Sequence, residues 1–185
     1  MVILAIGVAP DSSLARKAGP ELTERGHIAV NDKLQTSDPS IYALGDAVQV
    51  VSAITGKPCV LPLAGPANRQ GRIVADVLTG RDRTFRCVQA TSVCGLFDVT
   101  LAATGLSKKQ LEDSGIAYSA IYAHPNDHVG YYPGATPISM KLLFDNLGGR
   151  VLGRPGGWEK GSRTAYRCHR DGHTEGSNRL RPGGG

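Results

Sequence analysis

The pattern of apolar positions divides the chain into two textures. Val2-Ile3-Leu4-Ala5-Ile6 is an unbroken apolar run ending at Gly7 and Pro10. Such a run, without polar alternation, predicts a strand buried on both faces of a parallel sheet. His27 to Val30, before a polar turn at Asn31-Asp32, and Ile41 to Leu44, ending at Gly45-Asp46, predict two more short strands. Asp11-Ser12-Ser13 offers caps for a short helix through Leu14 and Ala18, closed by Gly19-Pro20. Gly65-Pro66 opens the strongest helical pattern, because proline is preorganised for a first turn. Ile73, Val74, Val77 and Leu78 form its apolar stripe, and Gly80 stops it.

After Arg81-Asp82-Arg83 the texture changes. Thr91 to Thr104, rich in Val, Thr and Leu, predicts one long strand. Ser107-Lys108-Lys109-Gln110 is a capping box, which predicts a short helix ending at Gly115. Tyr118 to His124 and Ile138 to Asp145 are predicted strands. In the second, Ile138, Met140, Leu142 and Phe144 alternate with Ser139, Lys141 and Asp145. Asn146 to Gly149 predicts a hairpin turn into Val151-Leu152. The boundary is expected near residue 84, with buried parallel strands before it and an antiparallel layer after it.

From Arg154 the periodicity stops. Residues 154 to 185 hold eight glycines and a single large aliphatic residue, Leu180, a composition expected to leave the segment disordered. Charge follows the same division. The net charge of +5 arises mostly here, from seven Lys/Arg against three Asp/Glu, whereas residues 1 to 153 carry fourteen against thirteen. The basic balance therefore says nothing about partners of the body. A length of 185 residues allows one domain or pieces of two. No apolar stretch is long enough for a membrane span, and the start of the chain lacks a basic secretory n-region. Cys59, Cys87, Cys94 and Cys168 show no CxxC spacing, so a reducing, cytoplasmic compartment is expected. Cys94, inside a predicted strand, is expected to be a buried core residue.

Two segments could carry chemistry. Thr36 to Asp46 would deliver Asp46 from the carboxyl end of a buried strand, where open α/β sheets bind ligands. Gly45 allows close approach to the backbone, and the Asp46 carboxylate accepts hydrogen bonds from hydroxyls such as the ribityl chain of a flavin. A plain Gly-Asp turn after a strand would look the same. Leu61 to Arg72 then places a helix N-terminus nearby, with unpaired N–H groups and a positive dipole end able to face the pyrimidine edge of a flavin.

Together these segments resemble the pyridine nucleotide-disulfide oxidoreductases, in particular the single-cysteine branch that includes coenzyme A disulfide reductases, NADH oxidases and NADH peroxidases. The resemblance covers roughly residues 1 to 153. It implies an α/β fragment of a two-dinucleotide-domain flavoprotein followed by an α+β dimerisation domain with an antiparallel sheet. Residues 1–84 would be the end of the NAD(P)-binding domain and the C-terminal part of the FAD-binding domain. Residues 85–153 would be a partial dimerisation domain. The resemblance implies FAD and NAD(P)H as cofactors, a homodimer, and coenzyme A disulfide or another small oxidant as substrate. Thr36, Tyr42, Ala43, Gly45, Asp46, Ala47, Leu63 and Ala64 would line the flavin. Asn68 and Arg69 would approach coenzyme A. Tyr131 or Tyr132 would act on the partner subunit's site, an interface or loop role being the alternative.

The departures from the family are as informative. No GxGxxG turn is present, and no cysteine has the setting of the redox-active residue. The chain is therefore expected to be a C-terminal fragment, inactive alone, with Met1 an internal methionine of a longer protein. Read one nucleotide later, permitted codons for the tail yield an amphipathic segment, RIDVIAMAIQ, of the kind the family would show next. A one-nucleotide frameshift near codon 153 is the expectation that follows. The alternative is a non-catalytic dimerisation or interaction fragment. Nucleic-acid binding by the tail arginines is disfavoured, since no aromatic or RGG repeat accompanies them. Cys168, His169 and His173 fall short of the four ligands of a structural zinc site. His124 and His128 are expected to be solvated loop residues, and no metal site is expected.

Overall fold

A computed structural model of the chain describes residues 1–159. The chain divides into two compact units, Met1–Val88 and Gln89–Gly185.

The first unit is sparse in regular structure. Helix α1 (Ser13–Ala18) ends at Gly19, whose φ of 95° provides the left-handed cap expected there. A 3₁₀ turn spans Gly45–Ala47. Strands β1 (Val50–Val51) and β2 (Pro58–Cys59) pair antiparallel, and helix α2 runs Ala64–Leu78. Leu34, Val48, Val50, Val74, Phe85 and Val88 form the core, with Ile28, Tyr42, Ala43 and Ile73 packed against it.

The expected parallel layer is not present among the described residues. Parallel pairing is limited to isolated bridges, Ile28 with Val48 and Ser52 with Val88. Residues 41 to 44 form no strand, only the bridge of Tyr42 to Gln35, and residues 27 to 30 only the bridges at Ile28. Val2 to Ile6 is not a strand either, and Val2 is 88% exposed. The pattern was legible as an interior strand, but no described strand lies beside it to supply ladder bonds or cover its faces.

The second unit is an antiparallel sheet ordered β3-β4-β8-β6-β5, with β7 also paired to β6. Its strands are β3 (Ser92–Leu96), β4 (Val99–Ala103), β5 (Ser119–Ala123), β6 (Ser139–Phe144), β7 (Val151–Gly153) and β8 (Gly156–Glu159). Helix α3 (Lys108–Asp113) starts with the predicted capping box, Ser107 and Gln110 each bonding the other's backbone N–H.

Two expectations are corrected here. Thr91 to Thr104 is a hairpin, not one strand: Leu96 opposes Val99, and Phe97 at the tip takes a φ of 50°. No glycine or asparagine marked that turn. Cys94 is exposed rather than buried, because β3 is the sheet's edge strand and all five of its residues are exposed.

Residues 154 to 159 are ordered, against expectation. Strand β8 pairs with both β4 and β6 and buries Trp158 to 4% exposure. A tally of aliphatic residues overlooked what one tryptophan contributes to a core. Gly157 also permits the close approach, since a Cβ there would stand 2.9 Å from Leu101. The rest of the tail, with Cys168, His169, His173 and the tail arginines from Arg163 on, lies outside the described residues. Among the described residues, no helix is long and apolar enough to cross a membrane.

Candidate functional site

The Gly45–Ala47 turn and helix α2 form one constellation. Gly45 has a φ of 84°, and open space lies where a Cβ would stand. That conformation favours glycine, and it leaves the backbone approachable. Asp46 is exposed, and its carboxylate has no partner among the described residues. Helix α2 abuts the turn through Gln70, which is 1% exposed and whose Oε1 accepts the Gly45 N–H at 2.7 Å. At the start of α2, Leu63 is extended and offers no side-chain cap, and the Ala64 and Gly65 amides find no acceptor among the described residues.

This donor and acceptor set fits a flavin. An unpaired carboxylate suits ribityl hydroxyls, and free first-turn amides suit an electron-rich carbonyl edge. Gly45, Asp46 and Ala47 form the turn that Gln70 joins to α2, and Leu63 and Ala64 open that helix. Thr36, Tyr42 and Ala43 are occupied in packing and turns. Thr36 is buried, and its hydroxyl bonds the Asp38 backbone. The Tyr42 hydroxyl accepts from Gln35, and the Ala43 N–H donates to the Leu34 carbonyl.

The outward face of α2 carries a groove of about 520 Å³ lined by Ala67, Asn68, Gly71, Arg72 and Ala75. Asn68 is exposed, its amide donating to the Ala64 carbonyl at 3.0 Å. Arg69 is exposed but does not line this groove. Arg72 does, and sequence reasoning missed it. Its signal was the i+4 spacing from Asn68, which puts both on one helical face.

Tyr131 and Tyr132, 87% and 65% exposed, lie in the second unit. Tyr132 meets His128 edge-on at 6.0 Å. His128 is not a solvated loop residue: it is half-buried, with Nδ1 2.9 Å from the Asp127 carboxylate. Its Nε2 is buried without a partner among the described residues. His124 is exposed, as a solvated residue should be, with Nδ1 3.4 Å from the Ser139 hydroxyl. Cys59, in β2, is half-buried, and burial pushes its thiol above the usual range, the opposite of an activated thiolate. A separate apolar cavity of about 480 Å³ on the sheet is lined by residues including Cys94, Leu101, Tyr122 and Lys141.

Known proteins are similar to this chain. The family described as pyridine nucleotide-disulphide oxidoreductase matches residues 1–71. Residues 1–71 belong to that family. A CoA-dependent NAD(P)H sulfur oxidoreductase of Pyrococcus abyssi is 35% identical over 153 residues, covering 83% of this chain and 34% of that protein. A reduced CoADR-RHD from Bacillus anthracis is 44% identical with a TM-score of 0.83, covering 92% of this chain and 32% of that one. A NAD-dependent persulfide reductase from A. fulgidus is 35% identical with a TM-score of 0.84, covering 90% and 30%. The chain thus spans about a third of the length of the relatives it matches.

Proposed function

We propose that this chain forms part of an FAD-dependent NAD(P)H oxidoreductase of the coenzyme A disulfide reductase and NADH oxidase type. The observation that carries the reading is the unpaired Asp46 carboxylate on a glycine-hinged turn that Gln70 joins to α2, a helix whose N-terminus is uncapped. FAD, when bound, supplies electron transfer between NAD(P)H and the oxidant. The chain's residues bind and orient. Asp46 accepts hydrogen bonds from ribityl hydroxyls, and the Ala64 and Gly65 amides donate to the pyrimidine edge. Asn68 and Arg72, with Arg69 nearby, approach coenzyme A along the groove. Residues 89 to 159 serve a homodimer, from which Tyr131 or Tyr132 reaches the partner's site. The names of the relatives support a disulfide, persulfide or sulfur oxidant. The chain alone, whose sequence carries no GxGxxG turn, does not turn over NAD(P)H.

Amide spectra of the full chain, titrated with millimolar FAD, test the site. Shifts centred on Gly45, Asp46, Ala64 and Gly65 are expected, and Asp46→Ala should weaken the response about tenfold or more, as for loss of a hydrogen bond to a charged group. Shifts elsewhere, or an unchanged response in Asp46→Ala, would overturn the assignment. Recovery of a yellow protein reducible by NAD(P)H from this chain alone would overturn its inactivity.

A further inference from the structure

We propose that Gln70 is the positioning residue that holds the Gly45–Asp46 turn in its ligand-ready shape. This rests on the flavin reading of that turn. Gln70 is the one polar residue on the buried face of α2, where Ile73 and Val74 follow at i+3 and i+4. A buried amide side chain is costly unless its polar atoms are satisfied, so its presence there asks for a reason. The structure supplies one. Its Oε1 takes the Gly45 N–H at 2.7 Å across 25 residues of sequence.

That bond fixes the start of the turn. The turn is three residues long; the Val48 N–H reaches the Gly45 carbonyl at 3.4 Å, and the Ala47 carbonyl accepts the Ile28 N–H at 2.8 Å, so its far end is held by Ile28 and its Gly45 N–H by Gln70. Gly45 sits in the left-handed region, where glycine has the widest choice of alternatives. Fixing its N–H removes much of that choice and so sets where Asp46 presents its carboxylate. The same residue joins the turn to the helix whose first amides face the ligand, keeping acceptor and donors in register. Along α2, Asn68 and Gln70 lie about 200° apart, so one helical turn offers the groove outward and grips the flavin turn inward.

The test uses the full chain and two variants. Gln70→Met keeps length and helix propensity but removes the oxygen acceptor. Gln70→Glu keeps an acceptor at the same reach. Hydrogen exchange at the Gly45 amide should speed up about tenfold in Gln70→Met and stay within about twofold of wild type in Gln70→Glu. The FAD-induced shifts of Gly45 and Asp46 should weaken in Gln70→Met and return in Gln70→Glu. Unchanged Gly45 exchange in Gln70→Met would overturn the proposal. So would faster exchange that leaves the FAD response intact. If wild type itself does not respond to FAD, the flavin reading falls, while Gly45 exchange still decides whether Gln70 holds the turn. Exchange at the Ala43 amide, held by the Leu34 carbonyl within the same unit's core, reports whether each variant is folded.

Discussion

The two units reach order by different routes. The second pairs neighbours in sequence: β3 opposes β4 over five residue pairs, and β5 opposes β6 over five. The first collects positions from Leu34 to Val88 into one core and has only two short paired strands. In place of ladders it uses side chains against backbone. Asn31 Oδ1 takes the amides of Lys33 and Gln35, Ser52 Oγ those of Ile54 and Thr55, and Gln70 that of Gly45. The proposed ligand turn lies in this second kind of structure. Loops carry binding groups when a scaffold fixes them, and here the scaffold is a helix and individual side-chain bonds rather than a sheet.

The sharpest way to break the comparison is to empty each core. Leu143, next to the last residue of β6, is fully buried, and Leu34 is 1% exposed in the first unit. Leu143→Ala should cost about 2–5 kcal/mol by transfer and cavity terms. The chain's one tryptophan, Trp158, reads this directly as a lower urea midpoint. Leu34→Ala should cost a similar amount, but its signature is local. The Leu34 carbonyl holds the Ala43 N–H and its own N–H holds the Asn31 carbonyl, so exchange at residues 34 and 43 should accelerate. If those amides exchange at wild-type rates, the first unit is not organised by its core.

Backbone closeness in the second unit gives the next effect. Gly153 is buried against Leu106, and an added Cβ would collide with the Leu106 carbonyl. The Leu106 N–H donates to the Leu152 carbonyl, so neither segment can move away without losing a bond. Gly153→Ala should cost about 1–3 kcal/mol by overpacking. Gly65→Ala in α2, with nothing within 4 Å of the added carbon, is the matched control and should be neutral or slightly stabilising. Equal urea midpoints for the two variants would remove the claim that the sheet depends on this contact.

The same contrast explains what could be read from the residues. Helix α2 and the capping box of α3 were legible because their signals are local: Pro66 at the first turn, and Ser107 three residues before Gln110. The β6 strand was legible from strict alternation, and the turn into β7 from Asn146 to Gly149. The β3–β4 turn was not, because its tip residue Phe97 is not one that normally accepts a positive φ. Residues 2 to 6 read as an interior strand, yet a strand is a property of two segments, and only one was in view. At the candidate site, Gly45 and Asp46 were legible from chemistry. Gln70 was visible only as a polar residue in an apolar stripe, and its partner 25 positions away could not be inferred from spacing.

A smaller effect tests whether local signals carry local energy. Ser107→Ala removes the side-chain oxygen that accepts the Gln110 N–H at 3.3 Å. The expected loss is about 1 kcal/mol, the usual cost of an N-cap. Gln110→Ala should lose less, since only the reciprocal bond to the Ser107 N–H goes. The Trp158 midpoint in urea measures both. A Ser107→Ala loss near zero would mean that Leu111, fully buried on α3, anchors the helix without its cap.

The smallest effect is a proton. Asp145 follows β6 and gathers the turn into β7, accepting the amides of Leu147 and Gly148 on one oxygen and of Arg150 on the other. These bonds, that of Gly148 foremost, hold its carboxyl below the usual carboxylate range. A group depressed in the folded state contributes stability that is present above its unfolded pKa and lost as pH falls toward the folded one. The loss should therefore begin near about pH 4, the ordinary aspartate value, and continue below it. Solvent screens the group, so the contribution is modest. Asp145→Asn keeps an acceptor oxygen but no titration. Subtracting its acid profile, followed by Trp158, from that of wild type isolates this one carboxylate. The difference should be flat above about pH 5 and shrink below it. A difference that stays flat through this range would mean that the turn is held without the charge that gathers it, and one that grows on acidification would mean a carboxyl raised rather than lowered.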